Sequence, residues 1–365
     1  MKNTRTLALH DAGQRLWLDN ITRELLRSGT LARYIDELSV TGLTSNPTIF
    51  EQAIGAGSLY DEPIRAMSAA GLSTEALFFK LALEDLTQAA ALFRPAFDRS
   101  QGTDGWVSLE VSPLLAHDTA GTIQAAAQLH AQAACSNVLI KIPGTAEGVP
   151  AIEASVFAGI PVNVTLLFSC EQYLAAAEAY LRALERRAEL GLDLKIGSVA
   201  SVFVSRWDVA ISKELPLPFH NRLGIAIARR TYKAYRQLLS SERWKKLVAL
   251  GAQPQRLLWA STGTKDPAAP DTLYVEALAD PDTIDTVPEK TLLAFADHGN
   301  LPQRGLAQAS DPEAVIKEFE RAGIDASALA ARLQHEGVDS FAKSWAALML
   351  RIKDKSTRAA PAVPA

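Results

Sequence analysis

The chain predicts a single (β/α)8 TIM barrel, with extra helices in its crossings and a helical C-terminal segment. Three observations carry this reading. Residues 137–168, NVLIKIPGTAEGVPAIEASVFAGIPVNVTLLF, run strand, turn, helix, strand within about 30 residues, the βαβ unit of a parallel sheet. Eight short apolar runs occur along the chain, each followed by helix-patterned sequence, which is the arithmetic of a closed barrel. Several of these runs end in polar residues, at the strand ends where such barrels place their active sites. The alternative is a doubly wound open sheet, but no GxGxxG fingerprint follows the first run.

The elements follow in order. Residues 1–15 read as a polar lead-in, and Leu16-Trp17-Leu18 is the first strand, ending at Asp19. Ile21, Leu25, Leu26, Leu31, Ile35 and Leu38 have largely helical spacing, broken at Ser28-Gly29. Val40 to Thr44 is the second strand; it stops at Ser45-Asn46-Pro47, where the proline biases Asn46 away from helix. Residues 49–97 read as helical, an elaborated crossing with one helix starting at Ser73-Thr74-Glu75. Trp106 to Val111 is the third strand, carrying Glu110, and 117–132 is a helix. Strands four and five are those of the βαβ unit, and Ser169 caps a helix over 170–190 that Gly191 ends. The sixth strand lies within 195–204, a second elaborated helical crossing spans 207–250, and Gln255 to Ala260 is the seventh strand, ending in STGTKDP. A short helix over 271–279 leads to the eighth strand at 283–286, and 288–355 reads as helical. Residues 1–355 are thus expected to form one domain, and 356–365 a disordered tail.

Composition narrows the function. The 365 residues are 48% hydrophobic and 21% charged, ordinary for a globular protein, with a net charge of -4 and no dense Lys/Arg run to hold nucleic acid. A phosphorylated small molecule needs only two or three local cations and stays open as a ligand. Two cysteines, Cys135 and Cys170, make no disulfide framework and fit no metal-ligand spacing. The six histidines are scattered, and Trp17, Trp106 and Trp259 read as core. No stretch has the features of a secretion signal or reaches the roughly 18 apolar residues of a membrane span, so a cytoplasmic protein without membrane partners is expected.

The strand ends bring together Asp19, Asn46, Glu110, Lys141, Asn163, Thr165, Ser201 with Arg206, and Ser261-Thr262. Taken singly, each has an ordinary reading: Lys141 pointing into water, Asp19 at a helix start, Glu110 in a rim salt bridge, Arg206 on a solvated helix. Their convergence on one rim asks for chemistry. A buried ammonium without a partner tends to lose its charge, and a neutral amine attacks ketone carbon to give an imine that acts as an electron sink for carbon–carbon cleavage. Two carboxylates suit the accompanying proton transfers, amide and hydroxyl side chains can hold substrate hydroxyls, and arginine can grip phosphate bidentately.

These same residues carry a resemblance. GLTSNPTIF over 42–50 resembles the transaldolase amino-terminal signature, and VLIKIPGTAEG over 138–148 resembles the stretch around that family's Schiff-base lysine. SLEVSP, NVTLLFS, SVFVSR and the segment from WASTGTKDP to VEALADPDTIDTVP extend it across most of 16–290. The resemblance implies a class I transaldolase of the longer bacterial subgroup, a transferase of the pentose phosphate pathway. Such an enzyme moves a dihydroxyacetone unit from sedoheptulose 7-phosphate to glyceraldehyde 3-phosphate, with no cofactor and no metal. It implies Lys141 as the imine-forming nucleophile, Glu110 as an acid/base working through a water, and Asp19 as the acid/base for bond breaking. Asn46 and Thr165 match positions that hold the donor and that water, with Asn163 as a neighbouring substrate-binding candidate, while Ser201, Arg206 and one of Arg229 or Arg230, taken as Arg230, match phosphate-binding ones. Ser201 to Arg206 departs from the family's S-P-F-V-G-R by lacking the proline and glycine, which bears on phosphate-site geometry. The competing readings are a fructose-6-phosphate-type aldolase on the same lysine and a non-catalytic sugar-phosphate-binding barrel. The expected partners are sugar phosphates, and a homodimer is compatible with the sequence.

Overall fold

In a computed structural model of the chain, residues 2–301 and 311–357 are described. The strands are β1 (Arg15–Asp19), β2 (Val40–Thr44), β3 (Val107–Glu110), β4 (Val138–Pro143), β5 (Val162–Leu167), β6 (Ser198–Phe203), β7 (Gln255–Ala260) and β8 (Thr283–Val287). They close in sequence order into one barrel, every neighbouring pair parallel. The (β/α)8 expectation is therefore met.

Among the described residues, sixteen α-helices accompany the strands: α1 (Thr4–Asp11), α2 (Arg23–Arg27), α3 (Thr30–Leu38), α4 (Pro47–Gly55), α5 (Asp61–Ala69), α6 (Thr74–Arg99), α7 (Thr119–Ala133) and α8 (Gly148–Phe157) precede β5. After it come α9 (Cys170–Glu189), α10 (Ser205–Ile211), α11 (Leu223–Ser240), α12 (Glu242–Ala249), α13 (Leu273–Ala277), α14 (Glu289–His298), α15 (Pro312–Arg321) and α16 (Ala326–Thr357). Local chemistry sets many of their starts. Ser73 accepts from the Ala76 N–H, and Ser169 with Gln172 forms a reciprocal capping box. Asn46 accepts from the Ile49 N–H with Pro47 at the first helical position, so the motif that ends β2 also starts α4.

Two expectations change. The polar lead-in contains helix α1, because the Asn3 side chain accepts from the Arg5 and Thr6 N–H groups and its own amides bond Glu37 O and Ala296 O. At the other end, Ser356 and Thr357 finish α16 instead of opening a tail, and 358–365 lie outside the described residues.

The core has two parts. One lies between the barrel wall and the helices and includes Leu16, Leu18, Val138, Ile140, Ala200, Leu257 and Trp259. Trp17, Leu139, Val199 and Leu258 belong to the other; they alternate with the first set along the strands and so face the barrel interior. Gly42 makes room there: a Cβ on it would lie 2.5 Å from the Trp17 indole. The parity that sends Trp17, Leu139 and Val199 inward does the same for Asp19, Lys141 and Ser201, two residues further along each strand.

Candidate active site

Those second inward residues meet at the carboxyl ends of the strands, around a cavity of about 350 Å3. Asp19, Asn46, Lys141 and Thr165 line it, as do Ser201, Arg206 and Ser261. Glu110 and Asn163 lie just beneath: both are buried, and both bond or pair with residues of the cavity wall.

Lys141 lies within β4, only 5% exposed, so it does not point into water. Nor is it an unpartnered buried cation, as the sequence reading supposed. Register pairs its Cα with Glu110, and Nζ lies 3.1 Å from Glu110 Oε2. That contact is an ion pair without hydrogen-bond alignment; the ammonium's bond goes to Ser45 O at 3.1 Å. Burial pushes the Glu110 carboxyl up from its ordinary range; Lys141 opposes this and the charge of Asp19 adds to it. Asp19 is likewise raised by burial, and Lys141, the Thr44 hydroxyl and Lys265 oppose the shift. Each carboxyl thus holds a proton more readily than an exposed one, as proton acceptors in a reaction near neutral pH require.

The neutral groups are ordered by hydrogen bonds. Ser201 donates to Asn163 Oδ1 at 2.7 Å and Asn163 Nδ2 donates to Ser108 Oγ at 3.0 Å, so the Ser201 proton is already committed inside the barrel. Thr165 Oγ1 is buried without a partner among the described residues. Asn46 spends its carbonyl oxygen on the α4 cap and keeps its NH2 for other use. Arg206 takes part in no ion pair among the described residues and lies 5.4 Å from the Phe203 ring and 6.0 Å from the Phe341 ring. Burial lowers its guanidinium pKa, opposed by Glu336. Among the described residues, no three or more His, Cys, Asp or Glu side chains gather as metal ligands would. Among them also, no helix is long and apolar enough to cross a membrane.

A model of the family described as Transaldolase/Fructose-6-phosphate aldolase matches residues 16–352. The chain belongs to that family. Within it, a transaldolase of Thermobifida fusca is 44% identical over 355 residues, covering 94% of this chain and 96% of that one. A transaldolase of Thiobacillus denitrificans is 45% identical over 349 residues, covering 93% and 97%, and transaldolase 2 of Nostoc punctiforme is 39% identical over 375 residues, covering 97% and 98%.

One expectation drawn from the family resemblance is corrected. Arg230 does not reach the cavity: it sits on α11 with its guanidinium bound by Glu313 of α15, at 2.7 and 2.5 Å. Arg229 is also elsewhere, donating to Ala277 O. The cavity's further cation is Lys265, in the turn after β7, which like Arg206 is in no ion pair among the described residues. A lysine in a polar turn closing a strand was the signal for it. Phe341 was missed as well. It comes from α16, which crosses the mouth: Gln334 donates to Gly144 O and Leu166 O at the ends of β4 and β5, and Ser344 bonds Thr48. The Phe341 ring lies 5.7 Å from Lys141 Nζ and forms a wall of the cavity.

Proposed function

We propose that this chain is a transaldolase that moves a dihydroxyacetone unit between sugar phosphates through an imine on Lys141. The observation that carries the proposal is the contact of Lys141 Nζ with Glu110 at 3.1 Å, in a cavity that also holds Asp19. Glu110, made more basic by burial, takes the ammonium proton; the freed amine adds to the ketose C2 carbonyl, and loss of water gives the iminium. Asp19 then removes the proton of the C4 hydroxyl as the C3–C4 bond breaks, its electron pair going into the iminium to form an enamine. The first aldehyde leaves, the enamine attacks an acceptor aldehyde, Asp19 returns the proton, and hydrolysis frees Lys141. Thr165 Oγ1 and Glu110 Oε1, buried without hydrogen-bond partners among the described residues, suit a water that passes protons during imine formation and hydrolysis. Arg206 and Lys265 supply the charge for a substrate phosphate at the open end of the cavity. In this reading residues 1–355 act as one cytoplasmic domain of the pentose phosphate pathway.

Incubation with fructose 6-phosphate, borohydride reduction and peptide mapping test the proposal. A dihydroxyacetone-sized adduct on Lys141 is the expected result. Folded protein with no adduct on any lysine would overturn it. Sustained release of glyceraldehyde 3-phosphate only when an acceptor aldehyde such as erythrose 4-phosphate is present supports transfer, whereas sustained release without one marks an aldolase.

A further inference from the structure

The Asp19 carboxylate is held by a chain of two hydroxyls that the steps above leave unused. Thr44 Oγ1 lies 2.7 Å from Asp19 Oδ1, and Thr286 Oγ1 lies 2.6 Å from Thr44 Oγ1. The three residues come from neighbouring strands: Asp19 and Thr44 are Cα partners across β1 and β2, and Thr286 pairs with Trp17 across β8 and β1. Direction along the chain is forced. A carboxylate only accepts, and a threonine hydroxyl has one proton to give. Thr44 therefore donates to Asp19, and its oxygen receives the proton of Thr286. On the far side, the Thr262 hydroxyl gives its proton chiefly to Asp285 Oδ1 at 2.7 Å and shares it with the Thr286 carbonyl at 3.2 Å, which ties β8 to the turn bearing Lys265.

We propose that Thr286 is a positioning residue for Asp19: through Thr44 it keeps the Oδ1 oxygen engaged, so that Oδ2 is the oxygen presented to the substrate proton. The inference rests on the imine reading of the site and concerns only the bond-breaking step. Consecutive hydroxyl donors polarise one another, which strengthens the bond that reaches the carboxylate. The charged groups facing Asp19 are Lys141 from β4, Glu110 from β3 and Lys265 from the turn after β7. Two of the three are cations that already favour its ionised form, and Thr44 adds to that support.

Thr286→Val removes the hydroxyl and keeps the shape. The expected result is a fall in kcat of about tenfold with KM changed less than about twofold, near-complete recovery in Thr286→Ser, and an acidic limb of the pH–rate profile moved to higher pH. Borohydride trapping adds a readout that a purely structural role would not move: in Thr286→Val the adduct on Lys141 shifts from dihydroxyacetone-sized toward whole-ketose mass, since the imine forms but cleaves slowly. Because Thr286 acts through Thr44, the Thr44→Val/Thr286→Val double variant is expected to be no slower than Thr44→Val alone. Unchanged kcat in folded Thr286→Val, or additive losses in the double variant, would overturn the inference. Thr286→Ala repeats the comparison should the valine variant not fold. Failure to trap any adduct in the unaltered protein removes the imine reading itself, whereas a normal adduct with full turnover in Thr286→Val removes only the role of Thr286.

Discussion

Glu110 and Lys141 are Cα partners on adjacent parallel strands, and their charged atoms stand 3.1 Å apart inside the barrel. Each is the other's only nearby compensation of opposite sign on those strands, so their protonation states are linked. Loss of the amine leaves a buried carboxyl that takes up a proton instead of remaining an unpaired charge. Lys141→Ala is therefore expected to keep the fold, judged by circular dichroism and thermal melting, while transfer falls by about a thousandfold or more. Near-normal turnover in the folded variant would end the covalent reading.

Arg206 and Arg230 separate two uses of arginine. Arg206 faces the cavity and takes part in no ion pair among the described residues, whereas Arg230 is engaged by Glu313. Initial-rate kinetics with phosphorylated donors should give Arg206→Ala a KM raised about ten- to a hundredfold, the loss of a charge-assisted contact. Lys265→Ala should move in the same direction, and Arg230→Ala should stay within about twofold of the unaltered protein. A large KM effect from Arg230→Ala would restore it to the phosphate site.

Asp285 provides a pH test of stability. It is fully buried on β8, with Oδ1 accepting from Thr262 at 2.7 Å and Oδ2 unpartnered among the described residues. Burial pushes its carboxyl from 3.8 up to about 7, opposed by the Thr262 hydroxyl. Between those values the folded chain holds a proton that the unfolded chain has released, so stability falls as pH rises through the interval and levels off above it. Asp285→Asn keeps the acceptor and removes the titration. Melts at pH 5 and pH 8 should differ less for the variant than for the unaltered protein, by an amount on the order of a few kcal/mol. An equal difference in both would refute this account.

Gly42 is required for space rather than for an unusual backbone angle. Its missing Cβ leaves room for the Trp17 indole inside the barrel, where the replacement atom would come within 2.5 Å of ring atoms. Gly42→Ala is expected to cost about 1–3 kcal/mol by overpacking, read as a lower midpoint in urea unfolding. A midpoint equal to that of the unaltered protein would mean the indole has another place to go.

The strands were legible because burial on both faces writes them as short apolar runs, and because breakers such as Ser45-Asn46-Pro47 mark their ends. The same logic put Asp19 and Lys141 at strand ends, and strand parity turns both toward one cavity. What escaped were contacts between distant parts of the chain. Helix α1 depends on one capping asparagine in a polar stretch, and nothing in its hydrophobic pattern announces it. Phe341 reads as one apolar residue of a long helix until α16 is laid across the mouth by Gln334 and Ser344. Arg230 and Lys265 look alike as cations; only the position of Glu313 on α15 separates the tied one from the one at the cavity.

The placement of α16 has a consequence for synthesis. Asp19, Glu110, Lys141 and Arg206 all precede it in the chain, so the ribosome delivers these residues and the eight strands before the helix that covers them. Until Ala326–Thr357 has emerged, the nascent barrel lacks its Phe341 wall and leaves the mouth around Lys141 uncovered. Translation thus adds the wall that carries Phe341 after the cavity residues it encloses.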